Sequence, residues 1–163
     1  MNQSRILTEL NNFKKDHPFL FYAKKVEDSN SVRKHYKKKD TVFIECGFPG
    51  PNNDLYKDSY YTITLVLYNY PYDNPTAFFN KKVFHPNIYD DGMVCLDLLS
   101  TNWKPTLTIL DILNGLRNLL EYPNPGSPAN CTAGTIFSKN KKEYEKKVKA
   151  NIKNYHLSYP WDS

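Results

Sequence analysis

Ile6, Leu7, Leu10 and Phe13 recur at the spacing of one helical stripe, with Arg5, Glu9 and Asn12 turned elsewhere, which predicts a helix over residues 4–15. His17-Pro18 ends it, because the residue before a proline is driven out of helical backbone. The pattern then changes. β-Branched and aromatic residues dominate 19–26, 41–48 and 60–68, with a shorter run over 77–83, and predict four strands in an antiparallel meander. Helical spacing returns with Ile109, Leu110, Ile112, Leu113, Leu116, Leu119 and Leu120, a face wide enough for a buried central helix. Thr108 and Asp111 stand before it as an N-cap and its N3 partner. Past a proline-rich break at 123–128, Ile136, Phe137, Tyr144, Val148 and Ile152 carry a helix or helix pair over 130–155. Helix, four strands, helices: this order predicts an α+β fold with the central helix backing the sheet.

With 163 residues the chain is expected to be one domain, 1–163, able to bury a core without disulfide staples. Cys46, Cys95 and Cys131 are odd in number and far apart, and no Cys/His cluster has metal-ligand spacing, so neither a disulfide framework nor a metal site is expected. The N-terminus lacks an apolar signal core, and no run approaches the roughly 20 apolar residues of a membrane span. A monomer of the reducing cytosol or nucleus, with no membrane partner, is the expectation.

The net charge of +5 is uneven: residues 1–53 carry +4, 54–128 carry −3 and 129–163 carry +4. A basic chain raises the question of nucleic acid. The C-terminal lysines, however, mix with Glu143 and Glu145 at helical spacing, which reads as a solvated face, and no nucleic-acid partner is expected. Arg33, Lys34, Lys37, Lys38 and Lys39 crowd the connection between the first two strand runs, where a long polar loop is favoured over an import or docking patch.

The chemistry concentrates in FHPNIYDDGMVCLDLLSTNWKP, where His85-Pro86-Asn87 precedes Cys95 by a fixed interval and Trp103-Lys104-Pro105 follows it. A thiol accepts an acyl group at neutral pH and still holds it as a reactive thioester, so Cys95 is the candidate nucleophile. Cys46, within a strand run, and Cys131, at a helix start, lack this context and read as structural. His85, fixed in a turn by Pro86, also reads as structural, and no other catalytic base stands near the thiol.

With its spacing to Cys-Leu-Asp, to Trp-x-Pro and to Pro123-Asn124-Pro125, this segment resembles the active site of the ubiquitin-conjugating enzymes, and the resemblance spans about residues 4–155. It implies that Cys95 accepts ubiquitin or a ubiquitin-like protein from an activating enzyme and passes it to a substrate lysine or a ligase cysteine. No cofactor is implied, since ATP is consumed by the activating enzyme. The resemblance assigns Asn87 to the oxyanion, His85 and Pro86 to bracing the active-site turn, and Leu96 to gating the thiol. Asp97, Asn124 and Ser127 would surround the incoming lysine, whose amine must lose a proton despite an ordinary pKa near 10.4. Tyr70-Pro71-Tyr72-Asp73-Asn74-Pro75 and Trp103-Lys104-Pro105-Thr106 match two family loops which, with the helix face near Arg5, bind ligases and the activating enzyme.

Three departures stand out. Tyr56-Lys57-Asp58-Ser59 replaces the family's Y-x-G-G and puts the local turn geometry in doubt. Ser100 occupies a position where many members working with RING ligases are basic, and the tail HLSYPWDS lies beyond the resemblance. The modifier is left open, with Asp97 resembling ubiquitin carriers and Trp103-Lys104-Pro105 and Tyr56-Lys57 the cullin-modifying branch. Two other classes remain: a non-catalytic binding variant of the fold, whose hallmark is a missing cysteine, and a cysteine hydrolase, which would need His17, His35 or His156 beside Cys95.

Overall fold

The computed structural model describes residues 3–15, 18–27, 40–126 and 128–160. The basic cluster at 33–39, His17, His35 and Ser127 lie outside these residues. The elements are α1 (Gln3–Lys15), β1 (Tyr22–Val26), β2 (Val42–Pro49), β3 (Tyr60–Leu67), β4 (Thr76–Phe79), α2 (Ile109–Glu121), α3 (Cys131–Lys139) and α4 (Lys141–Tyr155), with a short 3-10 helix at Asp97–Leu99. The strands form one antiparallel sheet in chain order β1-β2-β3-β4, with Ile44 opposite Leu65 and Cys46 opposite Ile63. This is the expected α+β meander.

The central helix starts where its cap is written. The Thr108 hydroxyl accepts the Asp111 N–H at 3.1 Å and the Asp111 carboxylate accepts the Thr108 N–H at 2.9 Å. Such a cap contributes about 1 kcal/mol. Ile109, Ile112, Leu113, Leu116, Leu119 and Leu120 are buried, each by roughly 1.5–3 kcal/mol, so burial rather than capping holds α2 in place. The C-terminal helical region is a pair. Asn140 closes α3 and opens α4, its side-chain oxygen accepting the Glu143 N–H at 3.1 Å.

Three sequence expectations are corrected. Glu9 does not face away from the apolar stripe: it is buried, because its carboxylate meets donors from two distant segments. The first strand begins at Tyr22, not at 19, because Leu20 has a positive φ of 66° and the Phe21 N–H turns back to the Pro18 carbonyl. The fourth strand ends at Phe79 and never reaches 83, and its far edge is taken by a later segment, Val94 donating to the Ala77 carbonyl at 3.0 Å.

The turn that replaces Y-x-G-G survives. Asp58 takes the left-handed conformation, φ 64°, a region aspartate enters more readily than bulkier residues, and the Ser59 hydroxyl donates to the Tyr56 carbonyl. The chain beyond the resemblance also packs. His156 is buried with its ring 4.4 Å from Tyr61, its Nε2 bonded to the Lys82 carbonyl at 2.6 Å and its own carbonyl accepting the Tyr60 N–H. Burial pulls its pKa down to about 4 against the opposing bond to Lys82, with nearby Lys81 lowering it further. No helix among the described residues is long and apolar enough to cross a membrane.

Candidate active site

The free edge of β4 builds the thiol's setting. Phe79 donates to the Gly92 carbonyl at 2.8 Å, Met93 bridges to Phe78 and Val94 bridges to Ile88, so residues 88–94 form a small hairpin laid along the sheet. Its tight turn requires glycine: Gly92 has φ +93°, and a Cβ there would lie 2.2 Å from the Phe79 carbonyl oxygen. Beyond the hairpin, Cys95 donates its N–H to the Asn87 carbonyl at 2.9 Å. Its half-buried side chain lines a groove of about 330 Å³ with Pro75, Tyr89, Met93, Leu96 and Leu99.

The other two thiols contrast with it. Cys46 is fully buried within β2 and burial pushes its pKa well up, the behaviour of an inert core cysteine. Cys131 is exposed at the first position of α3, the helix start expected of it.

His85 and Asn87 turn inward. The His85 Nδ1 accepts the Asn87 N–H at 3.0 Å, which leaves the proton on Nε2, and this donates to the Leu119 carbonyl at 2.7 Å near the end of α2. Burial pulls the His85 pKa down to about 4, opposed by the bond to Leu119, so the ring is neutral at pH 7 with both nitrogens engaged. It braces the turn and is not a base for the thiol. The Asn87 amide is also fully buried: Nδ2 donates to the Asn124 carbonyl and Oδ1 accepts the Asn124 N–H, both at 2.8 Å. Asn124 in turn accepts the Gly126 N–H at 3.0 Å, while the Pro86 carbonyl takes the N–H groups of Ala129 and Asn130. His-Pro-Asn thus ties the Cys95 strand to α2 and to the 124–130 segment.

Leu96 is half-buried against the core, and Asp97 is exposed at the head of the 3-10 helix, its carbonyl accepting the Ser100 and Asn102 N–H groups. The segment fits closely on α2 because Gly115 lacks a side chain; a Cβ there would lie 2.6 Å from Leu98 Cδ2.

The expected partner-facing residues divide into exposed and engaged ones. Tyr72 is 63% exposed, and Lys104 and Pro105 are exposed. Trp103 is half-buried and donates its indole N–H to the Pro71 carbonyl at 2.8 Å, which joins the two loops. Arg5 bonds the Pro105 and Leu107 carbonyls, pairs with Glu9 at 3.2 Å and lies 5.3 Å from the centre of the Tyr70 ring. Glu9 takes the Tyr70 hydroxyl at 2.6 Å and the Ile109 N–H at 2.7 Å. Sequence reasoning missed this carboxylate, although its position three residues after Ile6 and four before Phe13 marks it as a polar residue on the apolar stripe. Tyr89 and Met93, which wall the thiol groove, were missed as well, hidden in a segment read only as a turn.

A half-open thiol at a sheet edge, no histidine among the described residues placed to activate it and exposed loops at one end agree with what comparison with known proteins finds. A family model described as ubiquitin-conjugating enzyme matches residues 5–152. The Sumo-conjugating enzyme ubc9 of Dictyostelium discoideum is 35% identical over 158 residues, covering 95% of this chain and 96% of that protein. The SUMO-conjugating enzyme UBC9 of Caenorhabditis elegans is 35% identical over 154 residues, covering 93% and 89%. Ubiquitin-conjugating enzyme E2 1 of the same nematode is 39% identical over 111 residues, covering 68% of this chain and 58% of its own length. Sequence match, sheet order and helix placement agree along the same stretch, and the chain belongs to the ubiquitin-conjugating enzyme family, transferases that carry a ubiquitin-like modifier as a cysteine thioester.

Proposed function

We propose that this protein is a SUMO-type conjugating enzyme with Cys95 as its acceptor thiol. Coverage is the observation that carries the reading: two relatives named as SUMO-conjugating enzymes align over more than nine-tenths of this chain, whereas the relative named for ubiquitin aligns over 68% of it. For the choice of thiol, the support is that Cys95 opens into a groove while Cys46 is sealed in the sheet.

In this reading the Cys95 sulfur attacks the modifier's thioester carbonyl on the activating enzyme, a new C–S bond forms, and the activating enzyme's sulfur leaves. An acceptor lysine amine then attacks the Cys95 thioester. The C–N bond forms, the C–S bond breaks, the amine loses its proton and the Cys95 thiol is regenerated. Asn87 serves this second step by holding the 124–126 segment through its paired bonds to Asn124 and by offering its amide donor to the developing oxyanion. Asp97 receives the lysine and its proton, while Ser127 and Asn124 orient the amine. Tyr72, Trp103, Lys104 and Pro105 form the face for the activating enzyme and ligases, with Arg5 holding that face to α1.

The test is charging with purified SUMO, ubiquitin and the cullin modifier, each with its activating enzyme and ATP, on gels with and without reductant. SUMO is expected to give a reductant-sensitive adduct that Cys95→Ala abolishes and that Cys95→Ser replaces with a slow, reductant-resistant oxyester, because a hydroxyl is the weaker nucleophile. Preferential charging with ubiquitin overturns the modifier assignment in favour of the second reading, which rests on the 39% identical ubiquitin-conjugating relative. Undiminished charging of Cys95→Ala overturns the choice of thiol.

A further inference from the structure

Between the end of β4 at Phe79 and the brace at His85 the chain leaves the sheet. Asn80 is still held by β3, donating its N–H to the Thr62 carbonyl at 2.9 Å. Residues 81–84 join no strand pair, and their hydrogen bonds to described residues all fall on one atom, the Lys82 carbonyl oxygen. Val83 and Phe84 also pack against the core, Phe84 with its ring 5.7 Å from Tyr144. Apolar packing is non-directional, so it sets the depth of this segment and leaves its position along the chain to the bonds at Lys82.

Both donors on that oxygen come from the C-terminal end of the molecule. Asn151, in α4, gives its Nδ2 at 3.0 Å, and His156, just past α4, gives its Nε2 at 2.6 Å, so both lone pairs of the carbonyl are used. The Asn151 bond is exposed, whereas His156 is 2% exposed and is itself fixed on three sides. Its N–H donates to the Ile152 carbonyl at 2.8 Å, its carbonyl accepts the Tyr60 N–H at 2.9 Å, and its ring lies 4.4 Å from that of Tyr61. His156 therefore ties the start of β3 to the segment that leads into His85, three residues beyond Lys82. From there the chain of bonds runs on to the site: His85 Nδ1 takes the Asn87 N–H, the Asn87 carbonyl takes the Cys95 N–H, and the Asn87 amide pairs with Asn124.

We propose that His156, supported by Asn151, is a positioning residue for lysine transfer: by holding the Lys82 carbonyl it fixes where the His85–Asn87 turn presents the Asn87 amide to the thioester. The inference rests on Cys95 carrying the modifier and on Asn87 serving its discharge. His156 lies beyond the stretch that resembles the family, so the resemblance assigns it no role. A donor aimed at developing charge must meet the oxyanion and not the ground-state carbonyl, so a small displacement of the turn slows the reaction. A hydrogen bond of ordinary net strength corresponds to about three- to tenfold in rate, which is the slowing of discharge expected when the His156 tether is lost. Charging, which in this reading does not use the Asn87 amide, is expected to keep its rate.

Single-turnover discharge of the preformed thioester to free lysine, measured well below the thermal midpoint of each variant, tests this. His156→Phe keeps a ring against Tyr61 and removes the donor, His156→Gln keeps a donor amide, and Asn151→Ala removes the second tether at an exposed bond. His156→Phe is expected to show the full slowing, His156→Gln to recover most of the wild-type rate, and Asn151→Ala to fall between wild type and His156→Phe. In an Asn87→Ala background His156→Phe is expected to add nothing further, because a residue that acts through Asn87 then has no route left. Wild-type discharge by His156→Phe, or the same slowing with and without Asn87, overturns the proposal, as does a parallel slowing of charging and discharge, the mark of a merely structural role. If His156→Phe does not fold, Asn151→Ala decides, and its discharge at the wild-type rate overturns the proposal. A thioester that forms on no modifier, or survives Cys95→Ala, overturns instead the choice of thiol, and wild-type discharge by Asn87→Ala overturns instead the role of Asn87.

Discussion

The two ends of α2 are gripped by buried polar side chains from remote segments, in opposite ways. At the N-terminal end the Glu9 carboxylate, 100 residues away in sequence, accepts the Ile109 N–H. A negative charge suits the positive end of a helix. At the C-terminal end His85, 34 residues away, donates to the Leu119 carbonyl, one of the acceptors a helix end leaves without an internal partner. The first grip also takes the Tyr70 hydroxyl and Arg5, so it organises the loops that carry Tyr72, Lys104 and Pro105. The second continues through Asn87 to Cys95 and Asn124, so it organises the thiol. One helix therefore spaces the partner-facing end from the reacting end, and the charged grip sits away from the chemistry while the neutral one sits beside it.

The largest effect is expected at the charged grip. Glu9→Ala leaves the Tyr70 hydroxyl, the Ile109 N–H and Arg5 without their shared acceptor, and a loss of about 3–5 kcal/mol in denaturant unfolding is expected. Glu9→Gln, which keeps a carbonyl acceptor, loses clearly less; equal losses in the two variants break the contrast between the ends.

The neutral grip shows itself through pH. His85 and His156 have folded-state pKa values near 4, below the unfolded value of 6.5. The unfolded chain therefore binds protons first, and stability present above pH 6.5 is lost as pH falls from 6.5 towards 4, on the order of 3 kcal/mol for each ring. Unfolding free energies at pH 7.5, 6 and 5 measure this. His156→Gln is expected to halve the slope, and an unchanged slope removes His156 from the account.

Next in size is Asn87→Ala, expected to slow discharge of the thioester to free lysine by about a hundredfold while charging persists. Folded, fully charged Asn87→Ala protein that discharges at the wild-type rate leaves the clamp on Asn124 as the residue's only role. The smallest effect on the fold is expected at Tyr72→Ala, under about 0.5 kcal/mol because the ring is exposed, with weaker binding of the activating enzyme as its signature. A large stability loss there would make Tyr72 part of the packing.

Much of this was legible in the residues alone. The stripe of α1, the capping box of α2, the strand runs and the segment around Cys95 are written in consecutive positions, because helix spacing, strand alternation and turn chemistry depend on near neighbours. Gly92 announces its turn for the same reason. What the sequence by itself determined was therefore the order of the elements, the family and the candidate thiol. Only the tertiary structure decided that β4 stops at Phe79 and gives its far edge to the 88–94 hairpin, that the chain beyond the resemblance anchors through His156, and that Tyr89 and Met93 wall the thiol groove. It alone turned Glu9 from a helix-surface glutamate into a buried link. The burial of a polar side chain depends on donors brought to it from across the fold, and Glu9 finds its partners at positions 5, 70 and 109, a pairing that exists only once the chain has reversed direction several times.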